Sequence, residues 1–312
     1  DINLRDLTYL SPRIEDLFLK YKPMGYVALK GIYRGQIDNW RNWEINVSGS
    51  SPRLAVQDYN LNDVEFQFEQ RDSAINKFNI TSSLYGGQFG FAVAADLLEE
   101  SIPIKSRVII QDIDLATFRK DRKLKIDKLS GKLNLEMSAQ GPIKNTNKIV
   151  GFGNLSVKNG FLGEAKLLKG ILAVAADHMS NRDPLKISKR SHIYLTALTA
   201  DFYIKENKLN SDNAVLYGDN INLDVKGWIN KKKQYNIQVA PNFQELEQLG
   251  KKYPTDLITK SFYLSCKGNL DLPTKCDKVA SPEKIFDGTL DVLKGGAGIL
   301  QEGLGTILED LF

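Results

Sequence analysis

Apolar and polar residues alternate one for one along most of this chain. Between Leu129 and Ala139, Leu129, Leu133, Leu135, Met137 and Ala139 fall on one parity, and Ser130, Lys132, Asn134, Glu136 and Ser138 on the other. That is the period-two signature of a strand with one dry and one wet face. The same rhythm marks Ile45 and Val47, then Val64, Phe66 and Phe68, then Phe78, Ile80 and Leu84, then Phe89, Phe91, Val93 and Ala95. Val108 to Ile110 reads as a short, more fully apolar strand. It returns at Leu155 and Val157, at Leu198, Ala200, Phe202 and Ile204, at Ile221, Leu223, Val225 and Ile229, and at Tyr235, Ile237 and Val239. FYLSCKGNLDL, from Phe262 to Leu272, reads as one long strand. Turn signals separate these runs: Ser50-Ser51-Pro52, Gly86-Gly87, Gly141-Pro142, Asn159-Gly160 as a tight hairpin turn, and Lys231-Lys232-Lys233 at a hairpin tip.

Helical spacing is confined to a few segments. Residues 3–22 read as a helix with a break: Ser11 suits the cap, Pro12 the first helical position, and Pro23 ends it. Asp114 to Lys123 reads as a brief helix capped by Asp114, and residues 163–179 as an amphipathic one carrying Leu167, Leu168, Ile171 and Leu172. One or two turns follow Asn242, and residues 281–312 form a glycine-rich amphipathic helix that needs an apolar surface to dock on. The expected organisation is a helical segment over 1–24, a β domain over 25–280 with inserted helices, and the C-terminal helix over 281–312.

A sheet layer with a dry face must cover it, and these helices look too few to do so. A closed sandwich and a curved, groove-like antiparallel sheet whose interior holds apolar ligand write the same alternation. Composition narrows the function classes. With 42 basic and 38 acidic residues the net charge is +4, too small and too dispersed to argue for nucleic acid. No run is long and apolar enough for a membrane-spanning helix. His178 and His192 are the only histidines, so no zinc site and no Ser-His-Asp set emerges. Gly151-x-Gly153 lacks the third glycine of a dinucleotide loop. No catalytic residue, metal or cofactor is expected.

The order of these strands resembles a known family. Gly131, Leu133 and Leu135 are followed by Gly151, Gly153, Leu155, Val157, Asn159, Gly160 and Leu162. Next come Phe202, Ile204 and Leu209, then Leu223, Gly227 and Ile229, then Tyr235, Val239 and Pro241. Over roughly residues 25–273 this is similar to the C-terminal region of the AsmA family of bacterial envelope proteins; Glu206-Asn207 departs from it, standing where a glycine is usual. The resemblance implies an elongated, curved β-groove for glycerophospholipid passing between membranes. It also implies the periplasm or cell envelope, with an inner-membrane anchor on a segment outside this chain. Phospholipid acyl chains, membrane surfaces and envelope proteins at either end are the implied partners. The expected groove lining is Leu133, Leu135, Met137, Leu155, Val157, Phe202, Ile204, Leu223 and Val225. The rival is a non-catalytic assembly factor with a closed sheet that binds partners at an edge strand. In an oxidising periplasm Cys266 and Cys276 either close a short disulfide loop or stand as two inert thiols.

Overall fold

The computed structural model describes residues 2–4, 6, 12–36, 39–57, 59–124, 129–161, 195–218, 222–242, 263–269 and 275–279. The chain is mainly β, and its fifteen described strands neighbour one another in sequence order. This is a meander in which most, though not all, strands are joined to the next by a short turn. The expectation of a mainly β, antiparallel sheet with few helices holds. The chain divides into two compact units, residues 1–113 with 134–151, and residues 114–133 with 152–312.

In the first unit, β1 (Ile2–Asn3) pairs antiparallel with β2 (Met24–Arg34). Residues 2 and 3 therefore open as a strand rather than a helix, and the described helix is α1, Pro12–Tyr21. It begins at the proline whose fixed φ suits a first turn. The sheet continues through β3 (Glu44–Val56), β4 (Tyr59–Arg71), β5 (Ala74–Leu84), β6 (Gly87–Asp96) and β7 (Pro103–Asp114), with antiparallel registers throughout. Ser50-Ser51-Pro52 is no turn: β3 runs through it, with Ser51 opposite Val64 and Arg53 opposite Asn62. The Ser51 hydroxyl donates to the Arg53 carbonyl at 2.9 Å, and Asp63 across the ladder takes a positive φ. The pair accommodates a proline that has no N–H to give. Likewise β7 spans twelve residues, with Val108 and Ile110 buried and Ile109 on the opposite parity, so the short apolar run is the middle of a longer amphipathic strand.

Two strands run from one unit into the other: β8 (Ser130–Pro142) and β9 (Val150–Phe161). On β8 the odd positions from Leu133 to Ala139 are buried. Asn159-Gly160 is not a hairpin turn, because β9 continues to Phe161 and only Asn159 takes a left-handed φ, +52°. A lone left-handed residue inside a strand is a bulge. It lets Phe161 donate its N–H to the Ser130 hydroxyl at 3.1 Å. Close approach of the two chains there requires glycine at 131, where an added Cβ would meet the Gly160 Cα at 2.8 Å and the φ is +115°.

In the second unit, α2 (Leu115–Asp121) starts on Asp114, whose carboxylate accepts from the Thr117 N–H at 2.7 Å. The capped helix expected at Asp114 is present. The strands β10 (Leu195–Lys205), β11 (Lys208–Gly218), β12 (Asn222–Asn230), β13 (Gln234–Asn242), β14 (Tyr263–Asn269) and β15 (Lys275–Val279) pair in succession, all antiparallel. The turn after β10 is closed by Glu206 and Asn207, both left-handed at φ +53° and +57°, the two-residue geometry that glycine usually serves. Of the long strand expected over Phe262 to Leu272, the described part is β14, seven residues, along which β15 returns antiparallel. Cys266 is disulfide-bonded, and the residue directly opposite it is Cys276, the only other cysteine. The helices expected over 163–179, 242–250 and 281–312, the strand positions Ile221, Phe262, Leu270 and Leu272, and His178 and His192 lie outside the described residues, apart from Asn242, the last residue of β13.

Candidate functional site: the phenylalanine face of the first unit

Residues directly opposite one another in an antiparallel pair share a face, so the registers define rows across the sheet. In the first unit one row runs Val47, Phe68, Phe78, Val93 and Ser106. The next runs Gly49, Phe66, Ile80, Phe91 and Val108. A third pairs Ser82 with Phe89 and Phe89 with Ile110. None of these positions carries a charge. The opposite parity holds Asn46, Ser48, Glu65, Gln67, Glu69, Lys77, Asn79, Thr81, Gln88, Lys105 and Arg107, which is a wet face. On that face Arg107 forms an ion pair with Glu136.

The apolar face is graded. At its β7–β8 margin Val108, Ile110, Leu135 and Met137 are buried. Over β4, β5 and β6 the five rings Phe66, Phe68, Phe78, Phe89 and Phe91 are all half-buried, as are Ile80 and Val93. Phe78 meets Phe68 edge-on at 6.1 Å and Phe91 edge-on at 6.2 Å, so three rings form a continuous ladder across three strands. The Phe66 ring lies over Gly49, which has no side chain to compete for the space. From β3 to β7 the rows span four inter-strand steps, about 19 Å at the usual spacing. Among them Ser82 is buried and its hydroxyl has no hydrogen-bond partner. Gln70 closes one end of the face, donating to the Arg41 carbonyl at 3.4 Å.

Of the nine lining residues expected from sequence, Leu135 and Met137 belong to the first unit and the other seven to the second. Leu155 and Ile204 are half-buried; Leu133, Leu135, Met137, Val157, Phe202, Leu223 and Val225 are buried, with Val157 and Leu223 fully so. In the second unit Leu216 pairs with Leu198 and Leu223, and Val225, Val239 and Leu264 form a buried row. Strand β13 is buried on both faces, Asn236 and Gln238 included. Among the described residues the run of adjacent half-buried rings therefore lies on the phenylalanine strands of the first unit. Its signal in the sequence is composition on one parity: five of the fourteen phenylalanines fall between residues 66 and 91.

Among the described residues two titrating groups depart from ordinary behaviour. The N–H of Thr117, more than the nearby Lys132 ammonium, holds the Asp114 carboxyl below its usual value, against a smaller opposing effect of burial. Burial raises the Tyr203 phenol, helped by Asp212. Neither group lies on the phenylalanine face. Among the described residues no cluster of histidine, cysteine and carboxylate side chains is placed to hold a metal, and no helix is long and apolar enough to cross a membrane. No protein-family model, no curated protein and no solved structure matches this chain.

Proposed function

We propose that the protein binds glycerophospholipid through the apolar face of its sheet and takes part in moving lipid between the membranes of a bacterial cell envelope. No chemical step is involved. The observation that carries this reading is the half-buried phenylalanine face: an uncharged surface about 19 Å wide with its rings on the three central strands, backed by a polar face, on which acyl chains find the same kind of environment as in a bilayer. Each methylene laid on such a surface contributes about 0.8 kcal/mol, and the receiving bilayer returns the same amount. Transfer along an apolar track therefore runs near balance without catalysis. The bonded state of Cys266 fits an oxidising compartment such as the periplasm. Likeness to the AsmA family of envelope proteins rests on the order of strands and turns quoted above.

The test is lipid extraction from the purified protein followed by mass spectrometry, with Phe78→Glu as the comparison. Wild-type protein is expected to carry glycerophospholipid in stoichiometric amount, and the charged variant to lose it while keeping its β-sheet circular dichroism. A lipid-free wild type refutes the proposal.

One observation favours a second reading, a non-catalytic assembly factor binding partners by strand addition. Among the described residues β1 pairs with Tyr26 and Val27 of β2, while Leu29, Ile32 and Tyr33 further along that strand are exposed. A long apolar edge of this kind is a template for another strand. A closed, lipid-free protein that captures an extended peptide along β2 is what this alternative requires.

A further inference from the structure

Two neighbouring hairpin tips of the second unit gather five lysines. Lys205 and Lys208 lie directly opposite each other at the end of β10 and β11, and the register of β11 with β12 sets Lys208 opposite Asn230. The next tip, Lys231-Lys232-Lys233, is thereby brought beside the first. The end of β14 joins them, where the Asn269 side-chain amide donates to the Lys232 carbonyl at 3.0 Å. Over residues 205–208 and 231–233 five lysines face one acid, Glu206, a balance of +4. The whole chain carries the same +4, so its remaining 37 basic and 37 acidic residues cancel.

Like charges directly across a ladder destabilise it, and three more lysines at the adjoining tip add to the repulsion. The Lys208 ammonium rests over the Trp228 ring at 4.3 Å, which fixes one charge in place. One residue inward, on the other face of the same strands, Ile204 pairs with Leu209, Leu209 with Ile229, and Ile229 with Tyr235. A basic rim therefore adjoins an apolar row.

We infer that this end of the second unit docks on the surface of a bilayer containing anionic glycerophospholipid, with the lysine tips at the headgroups. The inference rests on the lipid reading above and adds which end meets the membrane and by what charge. Lysines suit such a surface because they act as hydrated point charges; neither tip has the arginine fork that recognises individual phosphates. The adjoining apolar row favours a lipid surface over a nucleic acid.

The experiment is flotation with vesicles of phosphatidylcholine alone or with one quarter phosphatidylglycerol, using the full chain. Each lysine near an anionic surface strengthens binding roughly fivefold, so the triple variant Lys231→Gln, Lys232→Gln, Lys233→Gln should lose about a hundredfold in partitioning. Adding Lys205→Gln should lower it further, and raised salt should abolish wild-type binding. Replacing Lys77 and Lys105 with glutamine on the polar face of the first unit should leave binding unchanged. Equal partitioning of the triple variant overturns the inference. So does equal binding to phosphatidylcholine alone, or tighter binding to a single-stranded oligonucleotide than to the anionic vesicles. Lipid extracted from the same variant separates this from transport: the expected result is an intact lipid load with lost docking. A wild type that docks but carries no lipid sinks the transport reading and leaves the docking result standing.

Discussion

Phe78 is the centre of the ring ladder, and its truncation to alanine measures how open that face is. A phenylalanine side chain covers about 150–250 Å² when fully packed. The half-buried Phe78 forfeits roughly 100 Å² of covered apolar surface on truncation, worth about 2.5 kcal/mol at 25 cal/mol per Å². Two edge-on pairs, to Phe68 and Phe91, add about 0.5 kcal/mol each. Phe78→Ala should therefore cost about 3.5 kcal/mol, and Phe78→Leu, which keeps most of the area but loses both ring pairs, about 1 kcal/mol. A Phe68/Phe78 double-mutant cycle should return a coupling of about 0.5–1 kcal/mol. Because the chain has two compact units, a single global melt is not a safe readout. Native-state hydrogen exchange on peptides from β4, β5 and β6 reads the opening free energy of this region alone. A loss below about 1 kcal/mol would mean that the rings do not pack on one another. A loss near 5 kcal/mol is the signature of a fully enclosed aromatic core, and would end the case for an open lipid face.

Two further outcomes follow from local chemistry. Asp114→Ala should destabilise the start of α2 by about 1 kcal/mol, the ordinary worth of an N-cap, read as faster exchange in peptides covering residues 115–121. Because the folded state holds the Asp114 carboxyl below its ordinary value of 3.8, its contribution is fully present above about pH 4 and is lost as pH falls through the lower, folded value. Asp114→Asn should keep most of the cap and flatten that acid dependence. Reducing the Cys266 disulfide should release β14 and β15 from about 3 kcal/mol of chain constraint, seen as exchange rising in residues 263–279 and not in β4–β6. Unchanged protection after complete reduction, verified by thiol labelling, would count against the bond as a stabilising link.

Most strands could be read from alternation because each has one wet face, and the wet face is where polar residues are enforced. Reading failed where a local signal has two physical outcomes. Asn-Gly tolerates left-handed backbone in a hairpin turn and in a bulge alike, and what decides between them at Asn159 is Gly131 on the partner strand, nearly thirty residues away. Ser-Ser-Pro reads as a turn until the register shows Asp63 bending to match Pro52. Conversely, Asp72-Ser73 closes a tight turn with two left-handed residues and no glycine, so punctuation sought through glycine passes over it. The expected lining residues share a parity on each strand, which fixes a face but not how deeply that face is covered. Leu223 and Phe78 obey the same alternation; one is fully buried and the other half-open.

That difference in depth is what separates a conduit surface from a core. A core needs its apolar residues closed off, because each exposed ring forfeits its transfer free energy, and the central strands of the second unit satisfy that demand on both faces of β13. The first unit leaves it unmet over five adjacent phenylalanines, on a sheet whose other face is polar enough to need no cover. In the proposed reading an acyl chain meets the unmet demand without specific chemistry, and an uncharged surface offers it no barrier. One carboxylate among these rings would either repel the chain's surroundings or take up a proton, at a cost of several kcal/mol. The lack of charge along the rows from Val47 to Val108 would be unremarkable in a closed core. On a half-open face it is what the proposed lipid reading requires, since a bound acyl chain must slide rather than lodge.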